Sequence, residues 1–211
     1  SDSQECLDFA KAAYDISEKF DIPVLLRTTT RVAHSKSLVT LGGQKICAPK
    51  AYTRNARKNI ASPANAALNH PKLEDTLEAL AEYGCTSNLN RMELCGSKIG
   101  VVTASIAYEY AKDAFPEDTS FLKLGLTNPL PMKLIREFAS KVEKLYVIEE
   151  LDPFMEEQIK AAGIDCVGKE LTGKLYELNP QLLKERIFGE KPQSVDVGVQ
   201  AVSRPPALCP G

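Results

Sequence analysis

The chain has no apolar run approaching the roughly 20 residues that a helix needs to span a bilayer. Its first residues, Ser1-Asp2-Ser3-Gln4-Glu5-Cys6, are acidic and polar, so they do not read as a secretory signal. No Cys-x-x-Cys pair occurs among the six cysteines, and the closest two, Cys85 and Cys95, are ten apart. That spacing withholds the two ligands that one tight turn usually gives a zinc or iron–sulfur site. Cys6, Cys47, Cys85, Cys95 and Cys166 therefore read as small buried side chains, and scattered thiols in a chain of this size imply a reducing cytoplasm. No Asn-x-Ser/Thr sequon is present. Neither Gly-x-Gly-x-x-Gly nor Gly-x-x-x-x-Gly-Lys-Ser/Thr occurs, which argues against a dinucleotide or P-loop site. The Gly-x-Ser-x-Gly elbow is also missing. A net charge of −2 gives no basic field, so neither nucleic acid nor a membrane surface is an expected partner.

What remains is an ordinary globular composition, 44% apolar and 26% charged over 211 residues, enough for one domain and an appendage. The texture changes near Ser97. Before it, Phe9, Ala13, Ile16 and Phe20 recur at helix spacing over residues 4–20. Val24-Leu25-Leu26-Arg27 predicts a short strand. Residues 28–66 are irregular and partly basic (Lys45, Lys50, Arg54, Arg57, Lys58), a loop or extended arm better suited to lying on a neighbour than to filling a compact domain. His70-Pro71 predicts a helix start and Gly84 its stop.

After Ser97 strands and helices alternate. Strands are predicted at 98–103, 121–124, 145–148 and 164–167, with helices at about 105–114, from Pro131, from Pro153, and from Pro180 through Phe188. Proline suits these starts because it lacks the N–H that a first turn leaves unpaired. The alternation predicts a three-layer αβα fold, a mostly parallel sheet of about five strands covered on both faces, plus an N-terminal helix/strand arm.

Several residues invite a functional reading. Thr103-Ala104-Ser105 follows the first regular strand and can offer hydroxyls and helix N–H groups to an anion; the plain alternative is a Ser/Thr helix cap. Glu149-Glu150-Leu151-Asp152 can be read as an acid–base or magnesium cluster. Neighbouring strand residues face opposite ways, however, so the two glutamates need not converge, and Asp152 before Pro153 suits a cap. With Phe154, these residues form a surface where open α/β sheets place ligands or partners. Arg27-Thr28-Thr29-Thr30-Arg31-Val32-Ala33-His34 puts two guanidinium groups, hydroxyls and a histidine together. Arg31 and His34 can hold a carboxylate or phosphate there, or can serve a polar connection at a domain interface.

Three strings carry a family resemblance. Residues 20–35, from Phe20-Asp21-Ile22-Pro23 to Ala33-His34-Ser35, resemble the end of the pyrimidine-binding domain of the indolepyruvate:ferredoxin oxidoreductase alpha subunit, in the 2-oxoacid:ferredoxin oxidoreductase family. Lys123-Leu124-Gly125, Pro129-Leu130-Pro131 and residues 147–159 resemble that family's domain similar to the transketolase C-terminal domain. Arg204-Pro205-Pro206-Ala207-Leu208-Cys209-Pro210-Gly211 resembles the start of its thiamine-pyrophosphate domain, with Cys209 in place of a first cluster-binding cysteine. The resemblance implies an internal fragment: residues 1–66 the end of the pyrimidine domain and a linker arm, 67–189 the transketolase-like domain, and 190–211 a linker. It implies a parent that oxidatively decarboxylates aryl-2-oxoacids to acyl-CoA, using thiamine diphosphate, magnesium and iron–sulfur clusters. A beta subunit, ferredoxin and coenzyme A are its implied partners. The Gly-Asp-Gly…Asn string and the clustered cysteines of that machinery are missing, so the chain alone is expected to bind no cofactor and to catalyse nothing. Two alternatives stand beside this reading: a private site for coenzyme A or a regulator at the sheet end, lined by Thr103, Ser105, Lys123 and Glu149, and a stand-alone enzyme using Arg31 and His34.

Overall fold

In the computed structural model, described for residues 2–43, 46–49, 51–191 and 198, the second half of the chain builds a sheet from strands β1 (Arg91–Glu93), β2 (Ile99–Ala104), β3 (Ser120–Leu124) and β4 (Lys144–Ile148). Their spatial order is β1-β3-β2-β4. β2 runs parallel to both neighbours, with Val102 level with Leu122 on one side and Val147 on the other. β1 pairs antiparallel at the edge, Met92 opposite Leu122.

The two-residue period of a strand separates the core into two layers. Val101, Phe121, Tyr146 and Ile148 face helix α5 (Ile106–Ala114) through Ala107, Tyr108, Ala111 and Ala114. Val102, Leu122, Leu124, Leu145 and Val147 face α6 (Met132–Ala139) and α7 (Phe154–Ala161) through Ile135, Phe138, Met155 and Ile159. Leu178 and Leu183 complete the first layer. Leu183 closes the short helix Pro180–Leu183, which continues as a π-helical turn over Lys184–Phe188. The fold is therefore α/β with helices on both faces, as the alternation predicts.

The differences from expectation have local causes. Among the described residues four strands form, not five, because residues 164–167 contribute only a bridge between Val167 and Tyr146. Gly163, at φ 75°, turns the chain just before this segment, and the next residues after Gly168 already form the helical turn Lys169–Thr172. Residues 24–27 form no strand: Leu25, Leu26 and Arg27 line the cavity at the end of the sheet. β1 falls where no strand is predicted, and its short edge carries a polar cluster in which Glu93 accepts from Tyr108 at 2.8 Å and from Lys112 at 3.2 Å. Helix α1 spans Ser3–Phe20, with Asp2 accepting from Glu5 N at 2.8 Å as its cap.

Two short helices, α2 (Thr30–His34) and α3 (Ala56–Asn59), interrupt the arm. Helix α4 begins at Pro63, capped by Ser62, and runs to Thr86. His70-Pro71 is thus internal to it. A proline removes one helical hydrogen bond, and the alanine-rich stretch before it sustains the helix. Gly84 does not stop the helix; it lies buried, its carbonyl accepting from Asn90 Nδ2 at 2.7 Å. Arg204–Gly211, Cys209 and nearly all of the predicted linker 190–211 lie outside the described residues.

Gly100 in β2 allows the sheet to meet α6: a Cβ there would sit 2.7 Å from Val142 Cγ2 and 3.1 Å from Phe138. Gly100→Ala should therefore destabilise the protein by ~1–3 kcal/mol through overpacking, and Phe138→Ala by ~3–5 kcal/mol through cavity formation. Chemical denaturation of both variants, read by midpoint at constant slope, checks this.

Candidate functional site

The C-terminal ends of β2, β3 and β4 open into a cavity of about 390 Å³, within the range of small-molecule sites. α5 and α6 leave the sheet on opposite faces, so this is the crevice where open α/β sheets receive ligands. Ser105, Lys123, Glu149, Glu150, Asp152 and Phe154 line it. Phe9 of α1 and Leu25, Leu26 and Thr29 of the arm cover it. Arg31, His34 and Thr103 are not among its lining residues.

Most of its polar side chains are engaged by the fold. Glu149 accepts from Met155 N at 2.9 Å and from Glu156 N at 3.0 Å, so its carboxylate caps α7. The capping expected of Asp152 does not occur. Pro153 occupies the cap position, and Asp152 is exposed, 3.9 Å from Lys174. Leu151 at φ 60° turns the chain so that Glu149 reaches back to the helix start. Burial pushes the Glu149 carboxyl above the usual range against the pull of those two N–H groups. Lys169, whose ammonium burial pushes down, donates to the Glu149 carbonyl. Glu150 faces away from Glu149, toward Leu178 and Glu177; burial first, and then the Glu177 charge, raise it. β4 ends at Ile148, so strand alternation does not extend to this pair, and both glutamates line the cavity.

At the end of β3, Lys123 is 6% exposed and pairs with Glu5 of α1, a contact that ties the arm to the sheet. Ser105 stands at the N-cap position of α5 with φ 54° and makes no capping hydrogen bond. A serine rarely adopts that backbone conformation, and such positions cluster at functional loops. Thr103 is fully buried on the face toward α5. Arg31 forms a two-pronged pair with Glu177, with Nη2 2.9 Å from Oε2, and thereby holds that carboxyl below the usual range. His34 is exposed at the end of α2. Sequence reading missed Asn90, whose Oδ1 accepts from Gly125 N at 2.8 Å and Leu126 N at 3.0 Å and so shapes the loop below the cavity. Asparagine in a turn carries no signal of burial. Glu177 and Lys169 were missed too, because their partners are far away in sequence.

The charge set selects against anions. Four carboxylates (Glu5, Glu149, Glu150 and Asp152) line the cavity against two cations, Arg27 and Lys123. Among the described residues no group of three His, Cys, Asp or Glu could hold a metal ion. Burial pushes the Cys166 thiol up to about 11, far from the thiolate that a cluster requires. Among the described residues, then, no side-chain set alone completes a site for a metal ion or an iron–sulfur cluster. Among them, too, no helix is long and apolar enough to cross a membrane.

Replacing Glu150 with Gln should stabilise the protein near neutral pH by removing the cost of ionising a buried carboxyl beside Glu177. With a raised folded-state value, protonation favours the native state. The wild type is thus at its best below the ordinary glutamate value of 4.5 and loses that contribution as pH rises through the folded value. The advantage of Glu150→Gln should shrink as pH falls toward 4.5, which thermal melts across pH 4 to 8 would read. An advantage that grows on acidification would contradict the assignment.

No protein-family model matches the chain. Over its whole length the chain is similar to indolepyruvate oxidoreductase subunit IorA of Methanothermobacter thermautotrophicus (36% identity), Archaeoglobus fulgidus (32%) and Pyrococcus horikoshii (33%), and it spans 37% of the length of each. A solved structure, 2-oxoglutarate:ferredoxin oxidoreductase from Magnetococcus marinus with 2-oxoglutarate, coenzyme A and succinyl-CoA bound, aligns at 17% identity and a TM-score of 0.47, covering 61% of this chain and 24% of that one. Over the segment that it covers, the chain is thus a relative of the indolepyruvate oxidoreductase IorA subunits.

Proposed function

We propose that this chain is a non-catalytic, interface-forming α/β domain with a helical arm, working within an oxidoreductase that decarboxylates aryl-2-oxoacids such as indolepyruvate to acyl-CoA and passes electrons to ferredoxin. The observation that carries the reading is the whole-length similarity to IorA subunits at 31–36% identity. In this reading residues 1–66 are the arm, 67–189 the α/β domain and 190–211 the linker. The arm passes into the domain inside α4, which spans both. The remaining domains of the alpha subunit and a beta subunit bring thiamine diphosphate, magnesium and the clusters, and Cys209 is a cluster ligand only in that larger assembly. The cytoplasm is the compartment that suits this chemistry and the unpaired thiols.

The sheet-end surface supports the interface role. Leu151 and Phe154 are exposed at its rim, 54% and 49%, beside exposed Asp152. A second reading, a private ligand site, is favoured by one observation: Ser105, Lys123 and Glu149 do share a cavity. Its excess of carboxylates weighs against the phosphates of coenzyme A. Arg31, held by Glu177, and His34, outside the cavity, give a stand-alone enzyme no shared pocket.

The chain alone should reduce no viologen with indolepyruvate and coenzyme A, whereas the assembled alpha and beta subunits should. Turnover by the isolated chain would overturn the non-catalytic reading, and an assembled enzyme inert toward every aryl-2-oxoacid would overturn the substrate class. Coenzyme A at saturating concentration should leave the melting temperature of the isolated chain unchanged.

A further inference from the structure

The sheet-end cavity holds a carboxylate that the fold leaves half used. Of the four that line it, Glu149 caps α7 and Glu5 pairs with Lys123. Asp152 is exposed, 3.9 Å from Lys174. Glu150 differs from all three. The backbone of Leu178 engages its carboxylate, yet Oε1 is buried and, among the described residues, has no hydrogen-bond partner. Thr29 Oγ1, on the stretch of arm that covers the cavity, is buried and unpartnered in the same way. Buried polar atoms are nearly always paired, because an unpaired one keeps the full cost of leaving water. Here two such oxygens belong to residues that border one cavity.

The neighbouring cations do not compensate Glu150. Lys123 is taken by Glu5, and Arg31 by Glu177. Arg27 is exposed and acts on Glu150 through its charge alone, without a hydrogen bond between them. The rest of the lining is largely apolar and includes Phe9, Leu25, Leu26, Leu124 and Met155. Walls of this kind receive a hydrocarbon body, and the few polar groups fix its orientation. What those polar groups lack is a donor. A primary ammonium carries three N–H donors and no acceptor. One can meet Glu150 as a charge-assisted hydrogen bond and a second the Thr29 hydroxyl. Ser105, which caps nothing, also lines the cavity as an acceptor for the third.

We propose that the sheet-end cavity binds a small primary amine with an apolar body, its ammonium group donating to Glu150 Oε1 and to the Thr29 hydroxyl and its hydrocarbon packed against Phe9, Leu25 and Leu26. Both oxygens are closed off from solvent, so the amine reaches them as the stretch of arm that carries Thr29 lifts from the sheet end and settles again. The Lys123–Glu5 and Arg31–Glu177 pairs anchor the arm on either side of that stretch and bring it back to the same place. The inference rests on the private-site reading above and gives that site its ligand class; it does not depend on what the assembled enzyme oxidises.

Calorimetric titration of the assembled protein with phenethylamine and with phenethyl alcohol tests this, since the two share one body and differ in the charge of the head. Phenethylamine should bind at one site per chain, and the alcohol at least about tenfold more weakly, because it brings no charged donor to Glu150. Glu150→Gln should weaken the amine by at least about tenfold, and Thr29→Val by less, since only a neutral acceptor is lost. Thermal melts establish that each variant is folded, and Glu150→Gln is expected to melt no lower than the wild type near neutral pH. No binding of the amine, equal binding of the alcohol, or amine binding that survives Glu150→Gln would overturn the assignment. Binding is read without turnover. A protein that takes up phenethylamine through Glu150 but reduces no viologen with any aryl-2-oxoacid keeps this inference and loses the substrate class; one that turns over but ignores the amine does the reverse.

Discussion

The burial of β2 and β3 on both faces is the constraint from which the rest of this structure follows. All five residues of β3 are buried, and β2 is buried from Gly100 to Thr103. A strand with no solvent face must have helices above and below it. The chain supplies these by crossing over after each strand, α5 to one side and α6 and α7 to the other. The parallel register leaves the C-terminal ends of β2, β3 and β4 on the same edge of the sheet, so the loops after them meet. The cavity is a consequence of that convergence.

The polar groups at that edge show how such a convergence is stabilised. Glu149 ends β4 and caps α7, Asn90 ties the loop after β3 to the end of α4, and Lys123 holds Glu5 of the arm. Buried polar groups are costly unless paired, and here pairing joins elements that are distant in sequence. The same pairing consumes the side chains that a small reactive site would need.

The arm follows a different logic. Between Ile22 and Leu73 its charges are of one sign, and Leu38, Leu41, Ile46 and Tyr52 are exposed. Self-repulsion within such a segment favours extension.

The α/β class, the helix starts at Pro153 and Pro180, and the three buried strands at 98–103, 121–124 and 145–148 were legible in the sequence, because hydrophobic runs and proline placement act over a few residues. The family resemblance rested on short strings, and whole-length similarity bore it out. Tertiary structure alone decided the rest. Whether residues 164–167 became a strand depended on what lay beside Val167. Whether Pro71 broke a helix depended on the strength of its flanks. Which carboxylate capped α7 depended on the turn at Leu151. Periodicity encodes how a segment is divided between core and solvent, so the sequence by itself determined the layers. Partners across the edge of a sheet are fixed only when the chain closes on itself, so the cavity and its charge emerged only with the fold.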